Sequence, residues 1–367
     1  MLAWLQRLFL GLGLIAAAAA VLVLTDRSGE RRAAGPQADG PAKTDSFDAR
    51  KRIAIIKYAS IAAFETGTEG CLEHLESVGY TKDAGTVVDI FNAEGDQATL
   101  AQICAQVASA PEPYDCVVSL GTAATQAYLR ANKRGAPQVM GLVASPPAIN
   151  VPLGPFVEGS GRPACLSGFG TAQPIRDLFK TLRALDPASK RIGVAYNPGE
   201  PNSEASVKVA RAACAELGLE LVEANGANVT EIVNAADVVL SRGIDAYWMP
   251  PDTVVSSAAQ TLISRATQSG VPAITNFPEM AEKGAAICLG ADWIACGMTT
   301  GIYAELALAG VDARSLPIDN FTPARLTLCM HAWPARWKAP EGFTESASEV
   351  WYSGREPVRR AMDLPMA

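Results

Sequence analysis

From Lys51 onward the chain alternates short apolar runs with stretches in which apolar residues recur three and four positions apart, and a polar loop separates each pair. The first half predicts strands at "RIAIIK", "TVVDIF", "CVVSL" and "PQVMGLV", with helices over Ala63 to Ser77, Gln97 to Ser109 and Thr122 to Asn132. The second half repeats the grammar with "RIGVAY", "LELVEA", "DAYWM" and "VPAIT". Continuous β-branched runs suit strands buried on both faces, which is how parallel sheets covered by helices read. The pattern therefore predicts an α/β chain with two doubly wound parallel-sheet lobes. The stretch Ser145 to Gly168, rich in Pro and Gly, reads as a boundary between them rather than as an element.

In doubly wound sheets ligands bind outside the carboxyl ends of the strands. The loops there are "YASIA", "NAEGD", "GTAATQ" and "ASPPA" in the first half, and "NPGEPNS", "ANGAN", "PPDT" and "NFPEM" in the second. Most are polar and open a helix, where unpaired N–H groups and the helix dipole favour an anionic group.

With 49% hydrophobic and 19% charged residues, the 367-residue chain has ample material for packed cores. A net charge of -7 without a basic stripe argues against nucleic acid as a partner. The run Leu8 to Leu24 is uncharged, follows a single positive charge and precedes a polar stretch, so residues 1–50 read as an export segment plus linker. Its length suits either a membrane anchor or a cleaved signal, with "AAAAA" as an ambiguous cleavage site. No cysteine lies in the first seventy residues, which excludes a lipidated N-terminal cysteine.

Eight cysteines, from Cys71 to Cys329, form no C-x-x-C pair, and most sit on apolar faces where a buried thiol behaves as a small hydrophobe. Export would also permit disulfides. Only His74 and His331 are available, too few for a histidine-rich metal centre, and His74 reads as a surface residue of a helix. No nucleophile elbow or phosphate-binding glycine loop appears, and "GLG" at Gly11 to Gly13 lies in the apolar run with no strand before it. An enzyme is disfavoured, and no cofactor is expected.

"RIGVAYNPGEPNS", a following helix and "LGLELVEA", then "DAYWMPPDTVVSSA" and "KGAAICLGADWIACGMTTGIYAELALAG", resemble the ABC-transporter solute-binding proteins of the tryptophan/tyrosine-binding type. The likeness runs from about Arg52 to Cys329 and includes "FNAEGD" and "GTAATQA". It implies a type I periplasmic-binding fold, two lobes joined by three crossings that close on a small solute, typically an amino acid, delivered to an ABC permease. The implied division is 51–163 with 291–322, then 164–290 with 323–330, and a C-terminal extension over 331–367 with three tryptophans and no counterpart in the family. The family's turns after three strands are replaced by "ASPPA", "PPDT" and "NFPEM", so the ligand's identity does not carry over. The same lobes held at the membrane by residues 8–24 would instead serve as a ligand-sensing receptor.

The ligand-binding candidates are Tyr58, Ser60, Thr122, Ala123, Ser145, Asn202, Ser203, Asp252, Thr253, Asn276 and Phe277, all at these loops. Asn202 or Ser203 caps the helix whose inner face is Val209, Ala210, Ala213 and Leu217, and the other points into the cleft. Thr122 and Thr125 either cap their helix or take a carboxylate. Asp252 either meets a cationic group such as an α-amine or caps its own helix, whereas Asp292 reads as a cap. Tyr58 and Phe277 are walls for an apolar side chain or else core, and Tyr196 and Trp248 pack within strands.

Overall fold

The computed structural model describes residues 48–352 and 357–359. The apolar run 8–24, with its export or anchor reading, lies outside them. Five parallel strands, β1 (Arg52–Lys57), β2 (Val87–Asn92), β3 (Cys116–Leu120), β4 (Gln138–Val143) and β5 (Leu166–Gly170), form the first sheet in the order β2-β1-β3-β4-β5. Helices α1 (Ala62–Ser77), α2 (Gln97–Ala108) and α3 (Thr122–Ala131) connect its first four strands. β3 is buried throughout and β1 from Ile53 onward because helices cover both faces, whereas β2 lies at the edge and is half-exposed.

β5 departs from the expected division. The boundary placed at residue 163 would give it to the second half, but its backbone pairs with β4 from Gln138↔Leu166 onward. The Pro/Gly-rich stretch thus contains a 3-10 turn, Pro146–Ile149, and ends in a strand. Gly168 (φ 119°) explains why "LSGFG" does not read as one, since a Cβ there would lie 2.1 Å from the Met140 carbonyl oxygen.

The second sheet contains β6 (Arg191–Tyr196), β7 (Glu220–Asn225), β8 (Ala246–Met249), β9 (Ala273–Thr275), β10 (Ile287–Ala291), β11 (Ala324–Cys329), β12 (Glu349–Trp351) and β13 (Val358–Arg359). Their order is β13-β12-β11-β10-β9-β8-β6-β7, parallel except where β10 meets β11 and β12 meets β13. Helices α4 (Ile175–Leu185), α5 (Pro201–Leu217), α6 (Val229–Leu240) and α7 (Thr253–Gln268) cover it. One core lies under α6 and α7, and another under α4 and α5. The inner face of α5 is Val207, Ala210 and Cys214; Val209, expected inside, is 48% exposed.

Helix α8 (Trp293–Leu308) leaves β10 and packs along α1 against the first sheet, then the chain returns to β11. Glycines permit the close approach: a Cβ on Gly70 would lie 2.3 Å from the Ile294 carbonyl oxygen, and one on Gly297 2.3 Å from that of Gly67. His74, expected at the surface, is mostly covered in this interface and lies 2.8 Å from Glu305. Three segments consequently cross between the sheets. They are bonded to one another: Phe321 N–H donates to Gly170, Gly170 N–H to Asp319 and Asp292 N–H to Pro323. Gln173 adds a side-chain tie, donating to the Thr171 carbonyl and accepting from Ala291 N–H.

The C-terminal extension packs on the second lobe. Trp333, Trp337 and Phe343 cluster against the α4 side, Arg336 pairs with buried Asp186, and β12 adds a strand beyond β11. All eight cysteines are free thiols; seven are buried and Cys165 is partly so, and burial pushes Cys71 up to about 12 and Cys104 up to about 11. Among the described residues no helix is long and apolar enough to cross a membrane.

Candidate functional site

In each sheet the strand order reverses direction beside a central strand, β1 in the first and β6 in the second, and the loops leaving these switch points face one chamber. It encloses about 530 Å³ of atom-free space, part of it open to solvent, and lies between the lobes.

Its floor in the first lobe is the start of α3. Gly121 occupies the N-cap position at φ 86°, and no side chain caps the helix, so the first-turn N–H groups are unclaimed. Only glycine fits there: a Cβ would sit 2.5 Å from the Phe64 ring. Thr122, at the head of the helix, is buried and faces the chamber. Neither Thr122 nor Thr125 caps the helix, and Thr125 is spent in the core with Ser119.

The opposite wall is already neutralised. Asp252 caps α7 through Val255 N–H (2.9 Å), while its second oxygen accepts from Asn197 N–H and the Ser203 hydroxyl, both at 2.7 Å. Glu200 reaches over to Thr253 N–H (2.9 Å) and Val254 N–H (3.3 Å). The "NPGEPNS" loop therefore clamps the neighbouring helix α7. Burial, and then the Glu200 carboxylate, push the Asp252 carboxyl up to about 7 against the hydrogen bonds it accepts. The uncapped helix start thus faces Asp252 across the chamber, while Glu200 borders the outer mouth.

Between these ends the walls are apolar: Tyr58, Ile61, Phe64, Leu142, Phe277 and Trp293. Leu142 takes φ 58° where the register of β4 slips against β5, and this left-handed kink turns its side chain inward beneath α1. Among the described residues the buried Thr171 hydroxyl has no hydrogen-bond partner. It borders the same space, as does Gln173.

Of the expected ligand residues, Tyr58, Thr122, Ala123, Asn202, Asp252, Thr253 and Phe277 line the chamber. Asn202 donates to Glu200 and to the Pro251 carbonyl, and it does not cap α5, whose N-cap position is Glu200. Four others stand elsewhere. Ser203 is fully buried behind Asp252, and Asn276 is held in the core by Trp248 and the Leu289 carbonyl. Ser60 lies in an outer mouth with Glu94 and Asn92, and Ser145 in a separate groove near the crossings. Ile61, Phe64, Leu142, Gln173 and Trp293 were not anticipated. The glycine before Thr122 was the one local signal for Phe64's position. Asp292 caps α8 as expected, through Ala295 N–H.

Residues 52–334 match the family described as ABC transporter substrate binding protein. A curated relative from Clostridioides difficile, a tyrosine-binding protein, is 26% identical over 78% of this chain and 80% of its own length. A conserved domain protein from Vibrio cholerae superposes with a TM-score of 0.75 at 25% identity, over 82% of this chain and 99% of that one. A Streptococcus pneumoniae ABC domain in complex with L-Trp gives a TM-score of 0.74 at 24% identity, over the same shares.

Proposed function

The chain belongs to the ABC transporter substrate-binding protein family, and from that premise we propose that it binds an L-amino acid with a large apolar or aromatic side chain in the chamber between its lobes. It is a binding protein and not an enzyme; its ligand is a small molecule and its partner a transporter permease. The uncapped start of α3 facing apolar walls is the observation that carries the finer reading. The ligand carboxylate lies on the N–H groups of Thr122 and Ala123 and on the Thr122 hydroxyl. Its ammonium group meets Asp252 and the Asn202 side-chain carbonyl, and the side chain lies among Tyr58, Phe64, Leu142, Phe277 and Trp293. The tyrosine-binding relative and the L-Trp complex support that class.

Calorimetry with L-tyrosine and L-tryptophan, each beside its decarboxylated amine, tests the assignment. Loss of the carboxylate removes charge-assisted bonds to a helix N-terminus, so tyramine should bind about 100-fold or more weakly than L-tyrosine. Equal binding of tyramine would remove α3 from the site.

We propose also that residues 8–24 direct the chain out of the cytoplasm and either are cut away or hold it at the membrane as a sensor. N-terminal sequencing should find Met1 in the membrane fraction if the anchor is retained, or a soluble start between Ala20 and Ala38 if it is cleaved. An intact chain in the cytosol would end the export reading.

A further inference from the structure

Two locally unfavourable choices meet in one wall of the amino-acid chamber. Leu142 takes φ 58°, a left-handed conformation that an L side chain resists, where the register of β4 against β5 shifts between Met140 and Val143. Behind it α1 carries Gly67, in a helix interior where glycine is disfavoured. The two belong together: the three atoms nearest to a Cβ on Gly67 would all be those of Leu142, the first, Cδ2, at 2.6 Å. Gly67 thus leaves open the space that the Leu142 side chain fills.

The kink is held from both sides. The Gly141 carbonyl accepts from the N–H of Gly121, the N-cap residue of α3, at 2.8 Å, and the Val143 carbonyl accepts from Thr171 N–H on the first crossing, also at 2.8 Å. Gly141 itself lies against α8, where a Cβ would meet the Thr300 hydroxyl oxygen at 2.3 Å. Tertiary contacts, rather than its own preference, therefore set the direction of the Leu142 side chain.

That direction places Leu142 between α1 and the chamber, since Leu142 lines the chamber and Gly67 does not. Two aromatic walls are fixed by other means. Tyr58 donates its hydroxyl to the Gly95 carbonyl (2.5 Å), and the Phe64 ring lies 2.5 Å from where a Cβ on Gly121 would stand. Leu142 is the wall whose bulk the sequence adjusts independently of the helix start. A change of a single methylene in a hydrophobic pocket alters discrimination by about 10- to 200-fold, so the volume of one leucine is enough to separate a one-ring from a two-ring side chain.

We propose that Leu142 is a specificity-determining residue: its kink, with Gly67 behind it, sets the size of the side chain that the chamber accepts, tyrosine against tryptophan. This rests on the reading that an apolar L-amino acid occupies the chamber, and it adds the residue that chooses among such ligands.

The test titrates L-tyrosine and L-tryptophan into the full chain, into Leu142→Ala and into Gly67→Ala, and reads the ratio of the two dissociation constants. Leu142→Ala keeps a Cβ at the same strained position and removes the bulk beyond it, so the ratio should shift towards L-tryptophan by about 10-fold or more. Gly67→Ala pushes the Leu142 side chain off α1 towards the chamber, so the ratio should shift towards L-tyrosine, again by about 10-fold. Alanine suits a helix interior better than glycine, so this second variant keeps the test decisive if Leu142→Ala does not fold. A general loosening of the site lowers both affinities together and leaves the ratio alone. The proposal is overturned if the ratio in either folded variant stays within about threefold of the parent's, or if both variants move it in the same direction. If neither amino acid binds the parent, the reading of the chamber falls and this proposal with it; if both bind and the ratio does not move, that reading stands and Leu142 loses its role.

Discussion

Asp252→Ala is expected to cost about 3–5 kcal/mol of folding stability, because it leaves two backbone N–H groups and one hydroxyl unpaired in a buried site. One of those groups is the α7 cap, whose loss alone costs about 1 kcal/mol. The effect depends on pH. The folded carboxyl titrates near 7 and the unfolded one near 3.8, so between these values the folded chain holds a proton that the unfolded chain has released. The group's contribution to stability is greatest below the unfolded value and declines as pH rises through the window. The cost of Asp252→Ala should therefore be largest near pH 4 and smaller at neutral pH. Asp252→Asn keeps an acceptor for Val255 but cannot titrate, and its stability profile should lose that decline. Calorimetric unfolding of the unliganded proteins across the window checks both. Parallel profiles for wild type and Asp252→Asn would show that this carboxyl is not raised.

Gly121→Ala should weaken L-tyrosine binding by about 100-fold or more, equivalent to about 2.7 kcal/mol. The new Cβ would occupy a left-handed position and meet the Phe64 ring at 2.5 Å, so the ring or the helix start must move, and both border the chamber. Gly218→Ala provides the control. Gly218 also has a positive φ, 66°, but no atom lies within 4 Å of its Cβ position, and it closes the far end of α5. Both variants should melt lower through backbone strain of about 1–2 kcal/mol, but only Gly121→Ala should lose ligand. Equal affinities in the two variants would detach the α3 turn from binding.

Much of the fold was legible from residues alone. Strands such as "RIAIIK" and "CVVSL" are continuous apolar runs bounded by polar turns, and burial on both faces leaves such runs few alternatives. The loops at the cleft were legible too, because a doubly wound sheet places its ligands beyond the carboxyl ends of its strands. Within those loops the residue type was a weaker guide. A serine, asparagine or aspartate can serve ligand or backbone equally well, and only the tertiary structure decided. Ser203 and Asn276 are consumed by Asp252 and Trp248, whereas Asn202, one residue from Ser203, reaches the chamber.

Sequence by itself determined the βαβ grammar, the positions of most helices and the cap at Asp292, since each depends on chain neighbours within a few residues. What it left open depends on contacts between distant segments. Trp293 borders the chamber because glycines on α1 and α8 let the two helices touch, bringing back to the first lobe a helix that follows a strand of the second. Strand β5 joins the first sheet because β4 is there to pair with it, and the extension adds β12 to the second because β11 offers an edge. Such pairings satisfy backbone groups across long chain separations, and no local pattern encodes the partner.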